Sequence, residues 1–146
     1  MEISNKKAYY DYEIETTYEA GIVLKGTEIK SIRQGKANLR DSYAIYKNGE
    51  IFILNMHISE YDKGNIFNHE ETRTRKLLLN KKEIYKIRDS IEKEGYTLIP
   101  IKVYFKGNRA KVLLGIAKGK KNYDKREAIK KKDIEREIKK QIKSYN

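Results

Sequence analysis

Short runs of alternating apolar and polar residues, two tight-hairpin signals and one long helical repeat predict a mainly β chain. The expected architecture is an antiparallel, partly closed β-barrel with one amphipathic helix, followed by a basic C-terminal tail. The 146 residues suit a single compact domain with one core. The barrel domain is expected to span residues 1–117 and the tail residues 118–146.

Taken in order, Tyr10, Tyr12, Ile14 and Thr16 alternate with Asp11, Glu13 and Glu15, the period of a half-buried strand. Its acidic face is expected to look away from any nucleic acid or to meet a donor-rich patch of it. Residues 20–32 read as a second β segment, with Gly26 marking a bulge or bend. Residues 34–38 read as a turn or short helix, and a strand covers residues 42–47. The Asn48-Gly49 dipeptide follows, flanked by Tyr43 and Ile45 before it and Ile51 and Ile53 after it. That pattern predicts a hairpin, because both central residues of a type I′ turn need positive φ.

Residues 59–76 are polar, irregular and longer than a typical connection, and they end in the basic cluster Arg73, Arg75 and Lys76. Asn80 and Glu83 form the start of a capped helix, and Ile84, Ile87 and Ile91 recur at helical spacing until Gly95 closes the run. Two strands complete the platform, over 97–105 and 109–117, joined by a tight turn at Lys106-Gly107-Asn108. Pro100 cannot donate to a ladder, which puts it at an edge or a bulge. About five or six strands with hairpin connections and one helix suit a barrel of the kind that binds oligonucleotides.

The tail carries much of the charge. Residues 118–146 hold 12 Lys+Arg against 5 Asp+Glu, a balance of +7 within a net charge of +12. An arm this basic seeks a polyanion, because neutralised phosphates release counterions. Ile134, Ile138 and Ile142 form a stripe too narrow for a core element. The arm is expected to be disordered when free and helical when docked. Twelve Tyr and no Trp suit base stacking beside phosphate contacts, although the greater share of these rings is expected to pack the β core.

Several classes of chemistry lack their residues. The chain has no Cys, hence no disulfide and no Cys-ligated zinc. Its apolar runs are far short of the roughly 20 residues that span a bilayer, and no secretory signal is expected at the N-terminus, so no membrane partner is anticipated. His57 and His69 do not form a metal-binding pattern, and His69 in its polar loop is expected to be solvated. The run from Gly115 to Lys121 has the wrong glycine spacing for a phosphate loop. No nucleophile, acid or base has a team around it. Binding without catalysis, metal or cofactor is the expected job, and the protein alone is expected to be a monomer.

Five stretches, in order along the chain, carry a resemblance: Asn5-Lys6-Lys7-Ala8, Tyr18-Glu19-Ala20-Gly21-Ile22, residues 26–33 (GTEIKSIR), residues 73–79 (RTRKLLL) and residues 119–126 (GKKNYDKR). Together they resemble the SmpB family, the SsrA-binding proteins of bacterial trans-translation. The resemblance implies a six-stranded oligonucleotide-binding-type (OB-fold) barrel with accessory helices in a cytoplasmic protein. It also implies binding to the tRNA-like domain of transfer-messenger RNA and delivery of that RNA to stalled ribosomes. On this reading Asn5, Glu19 and Leu78, with the basic cluster Arg73, Arg75 and Lys76, meet the RNA. Lys120, Lys121, Tyr123, Asp124, Lys125, Arg126, Ile138 and Ile142 meet the small-subunit decoding centre and the mRNA channel. Tyr123 stands where many members of the family carry His, which keeps a stacking ring but loses a titratable one. Composition alone supports a rival equally well, namely a ribosomal protein or translation factor whose barrel binds ribosomal RNA.

Overall fold

The computed structural model describes residues 1–120; the expectations for the tail beyond Lys120 lie outside the described residues. Six strands close a barrel: β2 (Tyr12–Ile22), β4 (Tyr43–Lys47), β5 (Glu50–Leu54), β7 (Arg75–Leu78), β8 (Thr97–Lys106) and β9 (Arg109–Gly119). Around the barrel the order is β4, β5, β7, β2, β9 and β8, and β8 returns to pair with β4 through Leu98 and Ala44. Every pairing is antiparallel. β1 (Glu2–Ser4) adds to β8, and the two-residue strands β3 (Ala37–Asn38) and β6 (His57–Ile58) form a separate pair.

The hairpins form where the turn residues require them. Asn48 and Gly49 both adopt positive φ, at 50° and 82°, and Lys47 pairs with Glu50. This is the geometry of the type I′ turn. At the second hairpin Lys106 pairs with Arg109 and Gly107 supplies the positive φ. The helix α3 (Lys81–Glu92) starts at Asn80, whose side chain accepts from the Glu83 amide at 2.9 Å, while the Glu83 carboxylate takes the Asn80 N–H at 3.3 Å. Gly95 turns the chain at positive φ, as the helical spacing anticipated.

Two bulges divide the sheet between two apolar clusters. In β2 the register shifts between Ile14 and Thr16, and in β8 between Pro100 and Lys102. Each shift leaves one residue without an opposite number, so side chains before and after it face opposite ways. Ile14, Ile99 and Ala117 thus join Ile101 in a small cluster against Ala8 of the short helix α1 (Ala8–Asp11). Tyr18, Ala20, Leu98, Val103, Val112 and Leu114 point into the barrel. There they meet Ile51, Ile53, Leu77 and Ile87 of α3, all fully buried. Each such side chain contributes roughly 1.5–3 kcal/mol by leaving water. The Pro100 bulge agrees with the sequence; the Ile14/Thr16 bulge breaks the simple alternation read across residues 10–16.

Three further expectations change. The segment over residues 20–32 is not one bent strand: β2 ends at Ile22 and residues 26–33 form the helix α2 (Gly26–Arg33), with Gly26 at its first position. The Glu28 carboxylate accepts the Lys25 N–H at 2.7 Å and so satisfies a donor at the helix start. Its other partners come from β7 and the preceding loop, which local periodicity cannot show. His69 is buried rather than solvated, held by Thr27 Oγ1 at 2.9 Å and the Ile58 carbonyl at 2.8 Å. β9 runs on to Gly119, paired with Tyr12, and the Lys120 amide donates to the Asp11 carbonyl at 3.2 Å. A boundary after residue 117 therefore cuts inside the last strand.

Candidate nucleic-acid interface

The strand registers align one outer face of the barrel. One row across the sheet runs Ser4, Lys102, Leu113, Glu19, and the next outward-facing row runs Glu2, Tyr104, Lys111, Gly21, Leu78. Five strands thus present a continuous surface on which Glu19 and Leu78, far apart in sequence, are near neighbours. Leu78 is 51% exposed, unusual for a leucine in a barrel strand, because β7 turns Leu77 inward and Leu78 out. A Cβ on Gly21 would come within 3.3 Å of the Leu78 Cβ. The glycine therefore leaves low ground between Leu78 and Lys111, where a flat ring can approach the sheet.

Asn5 stands one residue past the first row. Its amide donates to the Ile101 carbonyl at 2.7 Å and its Nδ2 to the Pro100 carbonyl at 3.0 Å, so the β8 bulge fixes it. With Nδ2 engaged, Oδ1 remains as the acceptor that an RNA donor could use. Glu19 accepts a hydrogen bond from the Tyr104 hydroxyl and lies 3.5 Å from Lys106 Nζ. The Tyr104 hydrogen bond, then Lys106 and Lys111, hold its carboxyl below the usual range, so it stays an ionised acceptor. Burial, followed by that same hydrogen bond to Glu19, pushes the Tyr104 phenol up to about 12, which keeps it a donor.

The basic cluster separates into three fates. Arg75 is a correction: it is fully buried and cannot meet RNA. Its Nε donates to Glu28, its Nη1 to the Met56 carbonyl at 2.7 Å and its Nη2 to the Glu71 carbonyl at 3.2 Å. Arg73 is partly exposed, with Nη2 2.6 Å from Glu28 Oε1. Lys76 reaches the Glu50 carboxylate at 2.7 Å. Burial would push the Glu28 carboxyl up, but hydrogen bonds from Arg73 and the Lys25 amide, with the Arg75 charge, outweigh it and hold it low. The Glu28, Arg73 and Arg75 assembly fastens α2 and the long loop to β7.

Tyr104, Lys106 and Lys111 surround Glu19 and Lys102 lies against Tyr104, although no sequence motif points to any of them. Their signal was present, since Lys102, Tyr104 and Lys106 alternate along one strand face. It stayed hidden because the sequence does not reveal which strand lies beside Glu19. Lys120 is exposed at the barrel rim; Lys121, Tyr123, Asp124, Lys125, Arg126, Ile138 and Ile142 lie outside the described residues. Among the described residues, no group of three or more His, Asp or Glu is placed to hold a metal, and no helix is long and apolar enough to cross a membrane.

A closed antiparallel barrel with basic, aromatic and acceptor groups ranged across one face belongs to the class of oligonucleotide-binding barrels. The family model described as "SmpB protein" matches residues 2–144. Among curated relatives, the SsrA-binding protein of Shouchella clausii is 61% identical over 139 residues, covering 95% of this chain and 89% of that protein. The SsrA-binding protein of Lactococcus lactis subsp. lactis is 60% identical over 142 residues, covering 97% and 92%. A chain of the solved structure "tmRNA-SmpB: a journey to the center of the bacterial ribosome" is 48% identical, with a TM-score of 0.71 over 85% of this chain and 87% of that one. The chain belongs to the SmpB family, a family of RNA-binding proteins and not of enzymes.

Proposed function

We propose that this protein binds the tRNA-like domain of transfer-messenger RNA on the outer face of β1, β8, β9, β2 and β7. It carries that RNA to stalled ribosomes for trans-translation, acting in the cytoplasm. The observation that carries the reading is the juxtaposition of Glu19 and Leu78 on adjacent rows of one surface, with Asn5 at its edge. These are the positions that the family resemblance marks for RNA. Asn5 and Glu19 offer acceptors to base edges or 2′-hydroxyls, Leu78 offers an apolar surface to a splayed base, and the surrounding lysines offer charge to the backbone. Arg73 and Lys76 stand beside Val23 at the end of β2, next to this face, whereas Arg75 is buried among Glu28 and loop carbonyls.

The tail is assigned the ribosomal half of the task. Its +7 balance suits a channel walled by RNA, and Lys120, Lys121, Lys125 and Arg126 would contact that RNA around Tyr123 and Asp124. Ile138 and Ile142 would pack the docked segment. The test of the barrel's role is Glu19→Lys. General electrostatics predicts tighter binding, because the change adds two units of positive charge. A directional acceptor role predicts weaker binding, by about tenfold for a lost charge-assisted hydrogen bond. Tighter binding in a filter or fluorescence assay would remove Glu19 from the interface.

A further inference from the structure

Glu19 is a side chain on an open sheet face, yet it is held in one direction. The hydrogen bond that holds it does not come from its direct neighbour in the ladder. Leu113 lies opposite Glu19, and Lys102 lies opposite Leu113. Tyr104 sits one row away and reaches diagonally across β9 to place its hydroxyl on Glu19 Oε2. Lys102 Nζ stands 5.2 Å from the centroid of the Tyr104 ring and is itself 3.1 Å from Glu2, so the ring is steadied from its own strand. Lys106 approaches the other oxygen, Oε1, at 3.5 Å.

Without Tyr104, the Glu19 carboxylate would be free to turn toward Lys106, and its acceptors would no longer point at a fixed place. We infer that Tyr104 is the positioning residue for Glu19: its hydroxyl orients the carboxylate so that the remaining lone pairs are presented to an RNA base edge or 2′-hydroxyl. The inference rests on the proposed RNA-binding role of this face and deepens it. A pre-set acceptor avoids the loss of side-chain freedom that a mobile glutamate suffers on binding. The phenol is a donor throughout the working pH range, so the arrangement needs no protonation event.

The bland alternative is that Tyr104 only packs the rim of the sheet. Tyr104→Phe separates the two, because it keeps the ring and its contact with Lys102 and removes only the hydroxyl. The experiment measures the affinity of the full chain for a tRNA-like RNA in four forms: unaltered, Tyr104→Phe, Glu19→Ala and both together. Tyr104→Phe should weaken binding about 3- to 10-fold, as expected of two coupled side chains, and should have no further effect once Glu19 is alanine. Its melting temperature should match that of the unaltered protein. If Tyr104→Phe binds normally while Glu19→Ala is impaired, the positioning role is wrong and the interface stands. Equal weakening in both backgrounds would overturn it as well, since the hydroxyl would then act independently of Glu19. If Glu19→Ala binds normally, both the Glu19 contact and its positioning by Tyr104 fall.

Discussion

Arg75 shows how far one residue's setting can depart from its type. Three basic residues close together beside a long polar loop suggested phosphate contacts. The structure instead buries the second of them completely and gives it Glu28 and backbone carbonyls as partners. A buried arginine is tolerable only when paired, so removing the charge of Glu28 should be severe. Glu28→Gln is expected to lower stability by about 3 kcal/mol, because the amide keeps the shape but leaves the Arg75 cation without a counter-charge. The pH dependence follows from the depressed Glu28 carboxyl. Its contribution is fully present above the ordinary value of 4.5 and is lost as the pH falls below that through the folded-state value. Thermal melts of both proteins between pH 3 and pH 7 should therefore differ most at neutral pH and converge in acid. Parallel curves would mean that Glu28 is not the group that titrates.

At the scale of elements, the sequence was most legible where the signal is local. The Asn48-Gly49 hairpin, the turn at Gly107, the capped helix from Asn80 to Gly95 and the proline bulge all rest on residues that need a particular φ or lack a donor. α2 is not legible in the sequence because its Ile29 and Ile32 spacing is short and its decisive residue, Glu28, finds its partners forty-odd positions later, at Arg73 and Arg75. The bulge near Glu15 is hidden because strict alternation in residues 10–16 gives no hint that two layers compete for that strand. α3 supplies a contrast with the strands proposed to face RNA: its cap is exposed and its apolar stripe seals the barrel. Asn80→Ala should cost about 1 kcal/mol of stability, read by denaturant unfolding. RNA affinity should be unchanged. A marked loss of affinity with little loss of stability would place the start of α3 in the interface.

For the whole molecule, the candidate site was half legible. Asn5, Glu19 and Leu78 were named through family motifs; that they share a surface, and that β8 and β9 complete it, needed the closed barrel. Each strand pair is set by non-local register, which no single stretch contains. The proposed function divides the work between barrel and tail, and the last strand pairs through Gly119 with Lys120 still bonded to Asp11. A chain ending at Lys120 should thus keep its melting temperature and most of its affinity for transfer-messenger RNA, yet fail to support tagging on stalled ribosomes. Unfolding of that chain would return the tail to the platform, and retained tagging would remove its ribosomal role.

Backbone NMR of the full chain titrated with the tRNA-like RNA reads directly which face of the barrel meets the RNA. Amide shifts should concentrate on residues 2–5, 19–21, 78, 102–106 and 111–113, which come together only through the strand registers. The exposed side of α3 should be silent. Perturbations concentrated on α3, with residues 19–21 and 78 unmoved, would contradict the assignment of this face.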